Sequence, residues 1–100
     1  MRFVLLDNGG KTADRYTIFS TKPTIYMGHD SVHQYAGFNE HPTHPQGFGQ
    51  HGELSHRQFM EHKRERFRSL GTRIKLESMP QEAQDFAKRF MVNVLEEDGQ

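Results

Sequence analysis

Seven histidines fall between residues 29 and 62 of this 100-residue chain. Neutral imidazole is a good ligand for zinc, copper, nickel or iron. The pairs His29/His33 and His41/His44 have spacings that suit a divalent metal, and they define one reading: a histidine metal protein or a metal-dependent hydrolase. A stable site asks for three or four ligands held on rigid elements and oriented by outer partners. Here His41 and His44 lie in a proline-rich stretch, while His29 and His33 span a turn signal. The simpler expectation is solvated or hydrogen-bonded imidazoles and no resident cofactor. An unperturbed histidine has a pKa of about 6.5, so such a cluster is expected to titrate together near pH 6.

The run His44-Pro45-Gln46-Gly47-Phe48-Gly49-Gln50 sets one aromatic ring between two glycines. Glycine permits backbone shapes that other residues avoid. Phe48 therefore reads as a plug sealing the core or as a knob for a partner, with Gln46 and Gln50 as hydrogen-bonding neighbours. The expectation is an ordered loop with Phe48 packed on the sheet or the last helix. His44, Gln46, Gly47, Phe48, Gly49 and Gln50 are the candidate binding residues.

A third pattern is charge. Residues 57–75 carry seven basic and two acidic side chains, and residues 76–100 carry two basic and six acidic. Arg57, Arg64 and Arg68 line one side of a helical projection and could meet a polyanion. With zero net charge overall there is no long-range pull on nucleic acid, so the block is expected to be solvated or to lie against the acidic C-terminal segment.

Other chemistry is thinly represented. Gly10-Lys11-Thr12 resembles the tail of a phosphate-binding loop, but Leu5 stands where that motif needs glycine, and strand alternation follows where it needs a helix. No nucleotide site is expected. Ser31, Ser55 and Ser78 read as caps or turn residues. No catalytic residues are assigned.

The elements that position these residues divide the chain in two. Arg2–Leu6, Asp14–Ser20 and Thr24–Met27 read as strands, broken by Asp7-Asn8-Gly9-Gly10 and by Thr21-Lys22-Pro23. Val32–Ala36 reads as a fourth strand or one helical turn. Residues 39–52 show no periodicity, with two prolines, three glycines and three histidines; fourteen residues is long for a structureless connection. Ser55 and Gln58 form a capping box, with Leu54 and Phe59 as its hydrophobic staple. That helix is expected from His56 to Leu70, ending at Gly71. Thr72–Glu77 reads as a short strand and Ser78–Gln81 as a second capping box. The last helix repeats Ala83, Phe86, Ala87, Phe90, Met91, Val94 and Leu95 at three- and four-residue spacing, so these are core positions. Residues 96–100 are expected to fray.

These elements predict one α+β domain over residues 1–100: a small antiparallel sheet of three to five strands with two helices packed on one face. Only 33% of residues are hydrophobic, but eight Phe and three Tyr raise the area buried per side chain, which argues against a disordered chain. The chain has no cysteine, so it offers neither a disulfide nor a thiolate. No run approaches a membrane span. The apolar run Phe3–Leu6 is too short for a signal-peptide core. Cytoplasmic residence and no membrane partner are the expectations.

Asp7-Asn8-Gly9-Gly10-Lys11-Thr12, Asp14-Arg15-Tyr16-Thr17, the 44–50 run, Leu70-Gly71 and Arg73-Ile74 together resemble small uncharacterised proteins of phages and bacterial mobile elements. The resemblance implies an accessory protein on mobile DNA that binds something rather than turning over a metabolite. It carries no functional residues. The expected function is thus a non-enzymatic binding module using residues 39–52 and the neighbouring sheet surface, its partner another protein or a second copy of itself. Nucleic-acid binding through helix 56–70 and the histidine metal site are the alternatives.

Overall fold

The computed structural model describes residues 3–12, 14–22, 24–26, 30–41, 51–65 and 71–98. In these segments six strands form one antiparallel sheet: β1 (Phe3–Asp7), β2 (Tyr16–Ser20), β3 (Thr24–Tyr26), β4 (Asp30–Phe38), β5 (His51–Ser55) and β6 (Thr72–Arg73). Two α-helices accompany it, α1 (His56–Glu65) and α2 (Gln81–Asp98). The protein is an α+β fold, as its patterning indicates.

The nine-residue β4 is the spine. Tyr35–Phe38 pair with Phe19–Tyr16 of β2, and Asp30–Val32 pair with Tyr26–Thr24 of β3. On its other edge Val32–Ala36 pair with Ser55–His51 of β5. Since β2 and β3 share one edge of β4, the sheet is five strands wide, in the order β5, β4, β2 with β3, β1, β6. The run Val32, Tyr35, Ala36 fits a helical turn as well as a strand; pairing on both edges decides for the strand.

Alternation divides the sheet into two apolar faces. Leu5, Tyr16, Ile18, Ala36 and Phe38 point to one face and meet Met79, Ala83, Ala87, Phe90 and Val94, all but the first from α2. Val4, Leu6, Phe19 and Leu54 point to the other and meet Phe59 of α1. The helices therefore do not share one face, as the patterning suggested; each covers its own. The cause lies at the β5–α1 junction. Helix α1 starts directly after Ser55, so its side of the sheet is set by where Leu54 points. The Leu54–Phe59 staple pulls the helix there. Helix α2 arrives from the β6 edge, with Met79 buried against the opposite face.

Two further expectations change. Strand β5 begins inside the stretch read as unpatterned loop, which its first two residues, His51 and Gly52, share. Gly52 hides the alternation, because it sits opposite Tyr35, whose ring occupies the space a Cβ would need. The second capping box does not form: Ser78 Oγ donates to Lys75 O at 2.7 Å, closing the short 3-10 turn Leu76–Ser78, and α2 starts only at Gln81. Strand β6 is correspondingly short: Ile74 N makes the last bond to β1, to Leu5 O, before the chain turns away.

Candidate functional site

The end of the sheet from which the 39–52 segment departs is organised by the β1–β2 hairpin. Its turn places Gly9 and Gly10 at φ +76° and +89°. Asn8 holds the turn together. Its Oδ1 accepts from Gly10 N at 2.8 Å and Lys11 N at 3.0 Å, while its Nδ2 donates to Thr12 Oγ1 at 2.9 Å and to Asp14 O at 3.1 Å. The Gly-Lys-Thr triplet is thus a hairpin turn.

Beside it stands one guanidinium between two carboxylates. Arg15 Nε donates to Asp7 Oδ1 at 2.9 Å, and Nη2 donates to Asp7 Oδ2 at 3.3 Å. Arg15 Nη1 pairs with Glu40 Oε1. The Arg15 hydrogen bonds hold the Asp7 carboxyl below its usual range, helped by the Gly9 amide and opposed by burial. Asp7 in turn strengthens the hold of Arg15 on its charge. One residue further on, His41 Nδ1 lies 3.2 Å from Glu82 Oε2 in the first turn of α2. Two consecutive residues at the root of the segment thus pair with Arg15, which enters β2 from the hairpin turn, and with Glu82 of α2. Sequence reading treated Asp7 only as a turn residue and missed Arg15, Glu40 and Glu82. The available signal was that Asp7 and Arg15 flank one hairpin. The Glu40 and Glu82 partners are 25 and 41 positions away from theirs and leave no local pattern.

A second cluster lies under α1. His33 has no exposed surface. Its Nδ1 is 2.8 Å from Ser20 O and its Nε2 is 3.0 Å from His56 Nδ1. A carbonyl only accepts, so His33 Nδ1 carries hydrogen. In the neutral ring Nε2 is then an acceptor, and His56 donates from its Nδ1. Phe59 stacks on His33 with centroids 3.9 Å apart and planes at 3°. Burial lowers the His33 pKa, partly opposed by the Ser20 carbonyl, and neighbouring His56 lowers it further. This imidazole fixes the first turn of α1 to β2 and β4.

The sequence-derived candidates are distributed as follows. Of the proposed metal ligands, His33 has both ring nitrogens engaged and His41 is exposed beside Glu82. The strand from His33 to Phe38 alone separates them by ~16 Å, so the two do not meet. His29 and His44 lie outside the described residues, as do Gln46, Gly47, Phe48, Gly49 and Gln50, and with them the expected packing of Phe48. Among the described residues no group of three His, Asp or Glu side chains is placed to hold a metal ion. Arg57 and Arg64 are exposed on α1; Arg68 is outside the described residues. Among the described residues, the basic side chains of α1 do not rest on the acidic C-terminal helix, because the sheet lies between α1 and α2. Arg57 instead pairs at 3.6 Å with Glu61 on its own helix. No helix among the described residues is long and apolar enough to cross a membrane.

Fold and site define an α+β protein whose sheet carries a helix on each face and a long connection rooted in a polar network. Comparison with protein-family models, curated proteins and solved structures finds no match to this chain.

Proposed function

We propose that this protein is a small non-enzymatic binding module whose docking segment is residues 39–52, with the neighbouring sheet end as its platform. One observation carries the reading. Strand β4 ends at Phe38 and its hairpin partner β5 starts at His51, so twelve residues, 39–50, connect two antiparallel strands. Hairpins close with two to five residues. The surplus is not needed to build the sheet, and long connections on a rigid scaffold are where binding residues concentrate. The Arg15–Glu40 and His41–Glu82 pairs give the segment a fixed root. The accessory role on mobile DNA follows from the resemblance alone.

The test replaces residues 42–50 by an Asn-Gly link and compares both proteins as bait in extracts of the source cells, with sedimentation velocity to detect self-association. The expected result is a retained fold by circular dichroism and loss of partner capture or of dimer. Capture and sedimentation unchanged by the replacement would remove the proposal.

A second reading, nucleic-acid binding through α1, is favoured by one feature. Seven of nine described α1 side chains are exposed, Arg57, Lys63 and Arg64 among them. Binding of this kind weakens steeply with salt as counterions are released. A flat salt response, or no binding to DNA or RNA at low salt, removes it.

A further inference from the structure

The short edge strand β6 decides where two cations stand. Arg73 pairs with Leu6, and Leu6 belongs to the apolar face that α1 covers. Arg73 therefore projects on the α1 side of the sheet. Lys75, two residues on with φ −93° and ψ 151°, continues the extended chain and falls on that side as well, whereas Ile74 between them packs against the α2 core. Both cations are exposed.

Helix α1 brings further cations to the same side. It starts at the β5 edge, its His56 meets His33 of β4, and its Phe59 meets Phe19 of β2. The helix thus crosses the sheet toward β1, the neighbour of β6. Its ten residues span ~15 Å, against ~19 Å between the outer two of five adjacent strands. The last turn, with exposed Lys63 and Arg64, accordingly lies toward the edge that carries Arg73 and Lys75. None of these four makes an ion pair among the described residues, and Glu61 is taken up by Arg57.

We propose that these side chains form one interface for double-stranded nucleic acid, in which Lys63 and Arg64 of α1 and Arg73 and Lys75 of the β6 edge contact phosphates together. This interface rests on the nucleic-acid reading of α1 and extends that site to the sheet edge. Charge selects a polyanion: four unpaired cations on two fixed elements complement a rigid, regularly spaced row of phosphates. The zero net charge of the chain removes long-range steering but not contacts made within a Debye length of ~8 Å. The rings on this side select a duplex. Among the described residues Phe19 and Phe59 are buried, and Tyr35 is half-buried over Phe19. Single strands are held by stacking bases on exposed aromatic rings, and this face presents cations instead. Phosphate contacts position a duplex without reading its sequence.

The experiment follows binding of the full chain to a fluorescein-labelled DNA duplex two helical turns long, by anisotropy, between about 50 and about 200 mM salt. The logarithm of affinity should fall linearly with the logarithm of salt, and duplexes of unrelated sequence should bind alike. Arg73→Gln with Lys75→Gln should make the slope shallower by about 1.8, and Lys63→Gln with Arg64→Gln by about the same. All four positions are exposed, so circular dichroism should show the fold retained. Lys88→Gln with Arg89→Gln, exposed on α2 behind the sheet, is the control and should leave the slope unchanged. A slope that responds to the Lys63 and Arg64 pair but not to Arg73 and Lys75 would overturn the shared interface and leave the α1 reading standing. No binding at the lowest salt would overturn both. An equal loss in the α2 control, or tighter binding of the single strand, would overturn the duplex interface.

Discussion

His33 makes a residue-scale prediction with a definite sign. Its folded pKa lies below 6.5, so on acidification the unfolded chain takes up a proton that the folded chain refuses. Stability is therefore intact above about pH 6.5 and falls below it until the folded pKa is reached. The slope from this one group is at most about 1.4 kcal/mol per pH unit. Asp7 acts lower down: its carboxyl is held below 3.8, so its contribution is present above that value and is lost as pH falls through the folded pKa. Urea unfolding at pH 7, 6 and 5 should show the His33 loss, and His33→Asn should flatten it. An unchanged slope in the variant would assign the loss elsewhere. Nitrogen-15 shifts should show hydrogen on Nδ1 of both His33 and His56.

Gly71 makes the second. At φ +125° it stands where a Cβ would collide with the Asp7 carbonyl. Gly71→Ala should destabilise the protein by roughly 2 kcal/mol or more, combining backbone strain with displacement of β1. A melting temperature within a degree of the parent would contradict that contact. At this scale the sequence was partly legible. The expected end of the helix at Leu70 lies outside the described residues, but Gly71 is recognisable as a position that needs positive φ. That it also presses on β1 is not, because the contact joins residues 64 positions apart.

At the scale of elements, α1 rests on a cap and one ring. Ser55 and Gln58 exchange hydrogen bonds, Gln58 N to Ser55 Oγ at 3.2 Å and Ser55 N to Gln58 Oε1 at 3.0 Å. Ser55→Ala should cost about 1 kcal/mol. Phe59 is the buried residue of the helix and packs on Phe19 and His33, so Phe59→Ala should cost about 3–5 kcal/mol; Met60, 39% exposed, should tolerate the same change within about 0.5 kcal/mol. In α2, Phe90 is buried against Phe3 while Phe86 is half-buried over Phe38. Phe90→Ala should therefore be clearly worse than Phe86→Ala, by chemical denaturation; equal losses would mean the two rings share one environment. The box at Ser55 and the stripe of α2 were legible because each is written within one or two turns of helix. The box at Ser78 was misread: a competing hydroxyl bond to Lys75 O satisfies the same side chain locally. Strand β5 was invisible because its second residue must be glycine beneath Tyr35.

For the whole molecule, the division of the helices implies unequal stability. One core joins α2 to five buried residues of β1, β2 and β4 and to Met79, while the other rests on α1 with Val4, Leu6, Phe19 and Leu54. Local opening follows the amount of apolar packing, so amides of α1 should exchange with solvent before those of α2. Amides of Val32, Tyr35 and Ala36, paired with strands on both edges of β4, should be among the last. Simultaneous exchange of both helices would show a single cooperative unit. Which face each helix takes was beyond the patterning, since amphipathicity gives a helix an inner side without saying which sheet face it meets.

The Ala36–His51 pairing has a consequence for substitution as well. The register of β4 and β5 is set by residues on the strands, so the chain between them can be lengthened, shortened or rewritten without moving a ladder hydrogen bond. Glu40 and His41, tied to Arg15 and Glu82, are the exceptions at its root. Substitutions along residues 42–50 leave that register untouched, while Tyr35, Gly52 and Leu54 are held by the sheet.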